Sequence, residues 1–298
     1  MLAVLGLIFD TGVQAATATK AATGTDLTGG AAGVWSGGSG ANGSPASADV
    51  ATWTSSSLGA GLTLSTSNSW GGISVAGALT DISITGAGTL TNGSGGIALT
   101  NNNLALGMGA VALGASQTWS VNSGETLTVA NAISGGYSLT KSGSGSLTLN
   151  GHTGTFTGGT TISAGTVNFN AYDCVKGTTT VNGGVANVAN YDGLRSSDVI
   201  VNVNGGLTAT GGDPELGSLA GTGNIVNSFS ASGGFSALTL GYNNTTTTYS
   251  GVLSGTGGIT KLGTGTMTLT GVNTYSGATA ISGGKLVGWW AVPAPAAW

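Results

Sequence analysis

Residues 133–167 read ISGGYSLTKSGSGSLTLNGHTGTFTGGTTISAGTV, and residues 253–287 read LSGTGGITKLGTGTMTLTGVNTYSGATAISGGKLV. The two stretches pair without a gap from Ile133/Leu253 to Gly151/Gly271. After one residue inserted in the first copy, they re-pair from Ile162/Ile281 to Val167/Leu286. Lys141 matches Lys261, Gly143 and Gly145 match Gly263 and Gly265, and Ser163 matches Ser282. Self-similarity of this length means a stack of like units rather than a globular catalytic domain, because each unit buries its apolar face only against the next.

The texture between and before the copies is the same. Short runs recur at 62–64, 73–75, 81–84, 89–90, 97–99, 104–106, 111–113, 119–121 and 126–129. Most alternate apolar with small or polar residues, and Gly or Asn separates them. No stretch carries apolar residues at helical spacing, so helix content is expected to be close to nil. Sandwich, closed barrel and β-helix all accept such strands. Inward Leu, Ile, Val and Ala with outward Thr, Ser and Asn favour the β-helix, in which identical side chains stack rung on rung. Two or three strands with their turns then make a rung of roughly 20–25 residues. A G-x-G-x-apolar unit recurs at 86–90, 107–111, 143–147, 221–225 and 263–267, where a tight corner calls for positive φ. It is not a dinucleotide fingerprint, since the third Gly is missing and a strand follows.

Composition removes several classes. Of 298 residues 58 are Gly and 5% are charged. With a positive mean hydropathy, this is not the highly charged profile of disordered chains. Six basic residues and a net charge of −4 leave no basic stripe for phosphates, so no nucleic-acid partner is expected. A single cysteine, Cys174, excludes an intrachain disulfide.

Four segments follow. Residues 1–16 hold a short apolar run and a small-residue site like those of an export signal, with a truncated start or a first buried strand as alternatives. Residues 17–57 form a Gly/Ser-rich entry segment whose Trp35 and Trp53 are expected to fold back as a cap, with loop or linker composition at 37–47. Residues 58–288 form the β-helix, and 289–298 (WWAVPAPAAW) a tail. Strands are expected to continue at 178–181, 185–188, 199–203 and 207–209, with longer loops at 172–176, 189–197 and 211–215. No stretch reaches the roughly 20 apolar residues of a membrane-spanning helix.

Both copies resemble the autotransporter-associated β-strand repeat, the passenger-associated transport repeat of bacterial surface proteins. The second keeps Thr260, Lys261, Gly263, Gly265, Leu269, Gly271, Asn273, Thr274, Tyr275, Gly277, Ile281 and Gly284 of its pattern. The first has His152-Thr153-Gly154-Thr155-Phe156 in place of the Asn-Thr-Tyr corner. The resemblance implies an all-β, right-handed parallel β-helix exported as a passenger to the cell surface by an autotransporter-type route. It also implies a C-terminal translocator barrel. No series of roughly ten-residue alternating strands follows the last repeat here, so the expectation is a passenger fragment or anchoring by another route.

The chemistry-bearing residues are few. His152 has no Cys or His at metal spacing, and Cys174 would be a nucleophile only beside a base, its plainer role being a small buried hydrophobe. Asp173, Asp192, Asp198 and Arg195 are the candidates for a carbohydrate-active β-helix enzyme. On the non-catalytic reading they should lie scattered on different edges, whereas three of them converging in one groove, close enough to share hydrogen bonds, would count against that reading and favour catalysis. Tyr137, Tyr191 and Tyr242 are candidates for stacking on sugars. The expectation is a non-catalytic, surface-exposed or secreted scaffold of adhesin type, with no catalytic, cofactor or metal residues. Its partners would be host or environmental surface glycans or proteins, met through loops within 171–215.

Overall fold

The computed structural model describes residues 15–21, 24–28, 32–55, 57, 59–78, 80–151, 156–228 and 237–290. The export-signal reading of 1–16 falls almost wholly outside these residues, as do His152 and most of the tail. Among the described residues there is no α-helix; a three-residue 3-10 turn at Ala41–Gly43 is the one helical element. The rest is short strands that pair parallel with the strand one rung earlier and one rung later, a β-solenoid.

Three faces wind in succession. On the first, Val50–Trp53, the 72–76 part of Asn68–Ala76, the 96–101 part of Thr89–Asn101, Gln117–Val121, Leu139–Ser142, Thr160–Ile162 and Thr179–Val181 stack, with register shifts between the two long strands, whose earlier parts (68–70 and 89–92) lie on the third. On the second, Leu62–Thr63, Ile82–Thr85, Leu104–Gly107, Thr126–Val129, Ser146–Leu149, Thr166–Phe169, Val185–Val188 and Leu207–Ala209 do the same. Ala110–Leu113 and Ile133–Ser134 belong to the third. Trp119, Lys141, Ile162, Val181 and Val201 are successive register partners, at spacings of 22, 21, 19 and 20 residues. The alternation of the sequence is the alternation of the pleat. Leu127, Leu147, Val167 and Ala186 point inward in one column and are buried. Thr118, Thr140, Thr161 and Thr180 form an outward column. Asparagines bond along the stack, Asn187 Nδ2 donating to Asn168 Oδ1 at 2.9 Å and Asn202 Nδ2 to Asn182 Oδ1 at 2.8 Å.

Two expectations need correction. The 189–197 stretch is not all loop, because a strand begins at Leu194 and runs to Val201, placing Leu194 on the third face and Val199 on the first. Glu215 likewise opens the strand Glu215–Ala220. The G-x-G corner also works differently from the expectation. The first Gly has positive φ at Gly86, Gly143, Gly221 and Gly263 but not at Gly107. The second Gly has ordinary φ in every unit. It is needed for space, since a Cβ on Gly145 would lie 2.1 Å from the Asn122 carbonyl oxygen of the rung beneath, and one on Gly265 2.1 Å from that of Thr245.

The two long copies do not occupy the same faces. In the first, 133–134 lie on the third face, 139–142 on the first and 146–149 on the second. In the second, Leu253–Ser254 continue from Ile225–Val226. Gly258–Lys261 stack on Ala237–Leu240 and so, through Leu216, on Leu194 of the third face. Thr266–Asn273 stack on Thr247–Tyr249 and, through the Gly221 bridge, on the first face. The second copy is therefore turned by one face about the solenoid axis.

The entry segment is ordered around one carboxylate. Asp49 is buried and accepts from Ala16 N at 3.0 Å, Ser39 N at 2.7 Å, Ser39 Oγ at 2.6 Å and Ala46 N at 3.0 Å. The 37–47 stretch is thus a loop wrapped on Asp49, not a linker. Trp35–Ser36 pairs antiparallel with Thr17–Lys20 at the outer edge of the sheet. Trp35 meets Trp53 and Trp70 edge-on, at centroid distances of 5.4 and 5.7 Å.

Candidate functional site

The repeats themselves hold an unusual buried group. Lys141 and Lys261 are inward-facing and buried although the two strands sit on different faces. Each ammonium turns back onto its own Gly corner. Lys141 Nζ donates to the carbonyls of Ser142 at 2.7 Å and Gly143 at 2.8 Å, and to Ala164 of the next rung at 3.4 Å. Lys261 Nζ donates to Leu262 O and, at 3.3 Å, to Gly263 O. The motif lysine is a cap for corner carbonyls that the tight turn leaves without ladder partners. Burial pushes Lys141 down to about 8 and lowers Lys261 as well. Asn273 has a similar task, its Oδ1 accepting from Leu253 N and its Nδ2 donating to Gly271 O, both at 2.9 Å.

The 139–169 and 259–287 segments match the model of the passenger-associated-transport-repeat. The chain carries two passenger-associated transport repeats. Over 142 residues, 48% of this chain, it is 31% identical to the adhesin BmaC autotransporter of Brucella suis biovar 1 (strain 1330). The aligned part covers 4% of that relative's length, so the chain spans a small fraction of it. No solved structure matches. Most of the chemistry-bearing residues gather between the two repeats.

That gathering lies on one edge. Four successive rungs place Tyr172, Asp173, Tyr191, Asp192, Arg195, Glu215 and Tyr242 together, through the 172–176 and 189–193 loops, the starts of the strands Leu194–Val201 and Glu215–Ala220, and the 241–245 loop. Backbone bonds tie the loops, with Asp173 N and Arg195 N donating to Asp192 O at 3.2 and 3.1 Å and Glu215 N to Tyr191 O at 2.6 Å. Tyr172 and Tyr191 are exposed and meet edge-to-face at 6.0 Å, their hydroxyls 3.4 Å apart. Arg195 Nε lies 3.5 Å from Glu215 Oε2, and its guanidinium covers the Tyr242 ring at 4.4 Å from the centroid. Asp192 is 2% exposed, and its Oδ1 has no hydrogen-bond partner among the described residues. Burial, then the nearby Glu215 and Asp173, push its carboxyl up. The hydrogen bond shared with Tyr172 pushes Tyr191 up to about 12, and burial does the same to Tyr242.

The expected scatter of the four candidates therefore fails for three of them. Asp173, Asp192 and Arg195 converge, though through the Asp192 carbonyl rather than through shared side-chain bonds. Asp198 stands apart, its Oδ1 accepting from Ser218 Oγ at 2.6 Å and from Asn243 Nδ2 and Thr245 Oγ1 at 3.1 Å each. That oxygen pins the 241–245 loop. Cys174 is buried beneath the edge, its thiol donating to Ala171 O at 2.9 Å and pushed up to about 11 by burial. An inert thiol follows, since the thiolate is the nucleophile. Among the described residues no group of three or more His, Cys, Asp or Glu side chains is placed to hold a metal ion, and no helix is long and apolar enough to cross a membrane. Tyr137 is exposed on a different rung. Glu215 and Tyr172 were absent from the candidate list. Only the winding of the chain brings them beside Arg195 and Tyr191, and a one-dimensional pattern carries no signal for that.

Proposed function

We propose that this chain is part of a secreted or surface-displayed passenger that acts as a non-catalytic adhesive scaffold, exported by an autotransporter-type route. The observation that carries the reading is the pair of transport repeats set in a parallel solenoid, supported by the likeness to an adhesin autotransporter. A solenoid of this kind is stiff and long. Its stability is a sum of neighbour terms, so it tolerates loops that leave the stack on one edge. Its outward faces are Thr, Ser and Asn held by rung-to-rung bonds, and its partners are surface glycans or proteins met by the loop edge within 171–215.

The experiment is retention of beads coated with the full chain on surfaces bearing neutral glycans, acidic glycans or proteins. Retention above that of uncoated beads is expected on at least one surface class, and none on any of them contradicts the adhesive reading. The convergence of Asp192, Asp173 and Glu215 makes one further assay necessary. Incubation with polysaccharides should release no reducing ends or unsaturated uronates, and steady release abolished by Asp192→Asn would replace the scaffold with an enzyme.

A further inference from the structure

We infer that the edge built from Tyr172, Tyr191, Asp173, Asp192 and Glu215 docks a positively charged segment of a protein partner, one that presents Lys or Arg side chains. The inference deepens the adhesive reading and rests on it. Charge is the first argument. Residues 171–215 hold five acids (Asp173, Asp192, Asp198, Asp213, Glu215) against Lys176 and Arg195, a balance of −3 in a chain whose total is −4. On the edge itself Asp173, Asp192 and Glu215 face Arg195, a balance of −2, so half of the chain's net charge of −4 gathers there.

The second argument is that this charge is not settled internally. Arg195 is committed to Glu215 and to the Tyr242 ring. Asp198 is satisfied by three neutral donors. Asp192 is buried and keeps Oδ1 without a donor among the described residues, and Asp173, held at φ 44, keeps its own Oδ1 without one. Burying an unpaired carboxylate beside others costs free energy that a cation docking above it would return. The third argument is the aromatic pair. Tyr172 and Tyr191 stand exposed and brace each other, a preorganised surface of the residue type enriched at binding hot spots. Tyrosine faces also attract ammonium and guanidinium groups. An acidic glycan would be repelled by the same carboxylates.

The test is fluorescence anisotropy of the full chain with a dye-labelled peptide of alternating Gly and Lys, beside its Gly/Glu counterpart. The Lys peptide should bind, weaken as salt rises, and lose at least about tenfold in affinity in the Tyr172→Ala/Tyr191→Ala and Asp173→Asn variants. Tyr137→Ala, on another rung, should bind as the parent does. Circular dichroism of each variant confirms folding; the tyrosines are exposed, so their loss leaves the core intact. No binding of the Lys peptide, or equal binding by parent and edge variants, overturns the inference. Glycan-coated surfaces that retain the beads, with retention lost in the edge variants, would replace the basic segment with a sugar and leave the adhesive reading standing. Beads that adhere to nothing would remove that reading itself.

Discussion

Lys141 shows how a buried charge shapes this fold. Its ammonium is held by backbone carbonyls alone, among the described bonds, and burial lowers it from its ordinary value to about 8. The folded state thus releases a proton near pH 8 that the unfolded chain keeps until about pH 10.4. The unfolded state binds more protons between those values, so stability rises with pH across that window and is lower below it. Denaturant midpoints should increase from pH 8 to pH 10, by roughly 1–3 kcal/mol in unfolding free energy. Lys141→Met should flatten the profile; a parent that loses stability across the window would contradict the assignment. Asp49 acts in the opposite range. Burial pushes its carboxyl up, but the donors from Ser39, Ala46 and Ala16 outweigh that and hold it well below the usual carboxylate range. Its stabilisation is full above its unfolded pKa near 3.9 and is lost as the pH falls below that. Asp49→Ala strands four donors and should cost about 2–4 kcal/mol, read from thermal unfolding; a change below about 0.5 kcal/mol would show that the loop does not depend on it.

At the scale of the element, the glycine corner separates two physical demands. Gly143 has φ 72, and a Cβ there would lie 2.3 Å from the Val121 carbonyl oxygen. Gly124 has φ 86 with nothing within 4 Å of its Cβ position. Gly124→Ala should cost only the left-handed strain, roughly 1–2 kcal/mol. Gly143→Ala adds a backbone clash and should cost clearly more, as urea unfolding of the two variants would show; equal costs would mean that the rung below yields freely. Strands were the legible part of this sequence. Alternation in TLTV at 126–129 or VANV at 185–188 fixes both the strand and its buried face, because the pleat has period two. The strand at Leu194–Val201 was less legible, since Ser196, Ser197 and Asp198 interrupt the alternation where the chain turns from the third face to the first. The order of 37–47 was hidden for another reason. Gly and Ser composition reads as loop or linker alike, and the carboxylate that decides for an ordered loop lies outside the stretch. The burial of Lys141 and Lys261 was hidden because a lysine in a strand pattern ordinarily faces water.

For the whole molecule, the two repeats show that the unit is independent of the face it lands on. Lys141 caps its corner on the first face and Lys261 on the third, with the same pair of carbonyls following each in sequence. The repeat is thus a local solution to the corner, which the solenoid accepts on two of its three faces. On the proposed reading, function lies not in the repeats but in what leaves the stack between them. The candidate site was only half legible. Arg195 and the aspartates stand out in a charge-poor chain, but the partnership of Tyr172 with Tyr191 and of Arg195 with Glu215 spans a full turn, and it depends on rung lengths of 19 and 20 residues that no local pattern dictates.

The central claim is that a charge-poor solenoid holds one loop edge in place and that this edge makes the contacts. Bead retention by two variants of the full chain tests it most directly. Tyr172→Ala/Tyr191→Ala removes the edge aromatics, and Thr118→Arg/Thr161→Arg obstructs the threonine column of the first face. The account predicts that retention falls at least about tenfold in the first variant and stays at the parent level in the second, with both as stable as the parent. Retention kept by the first and lost by the second would place binding on the repeat face and contradict it.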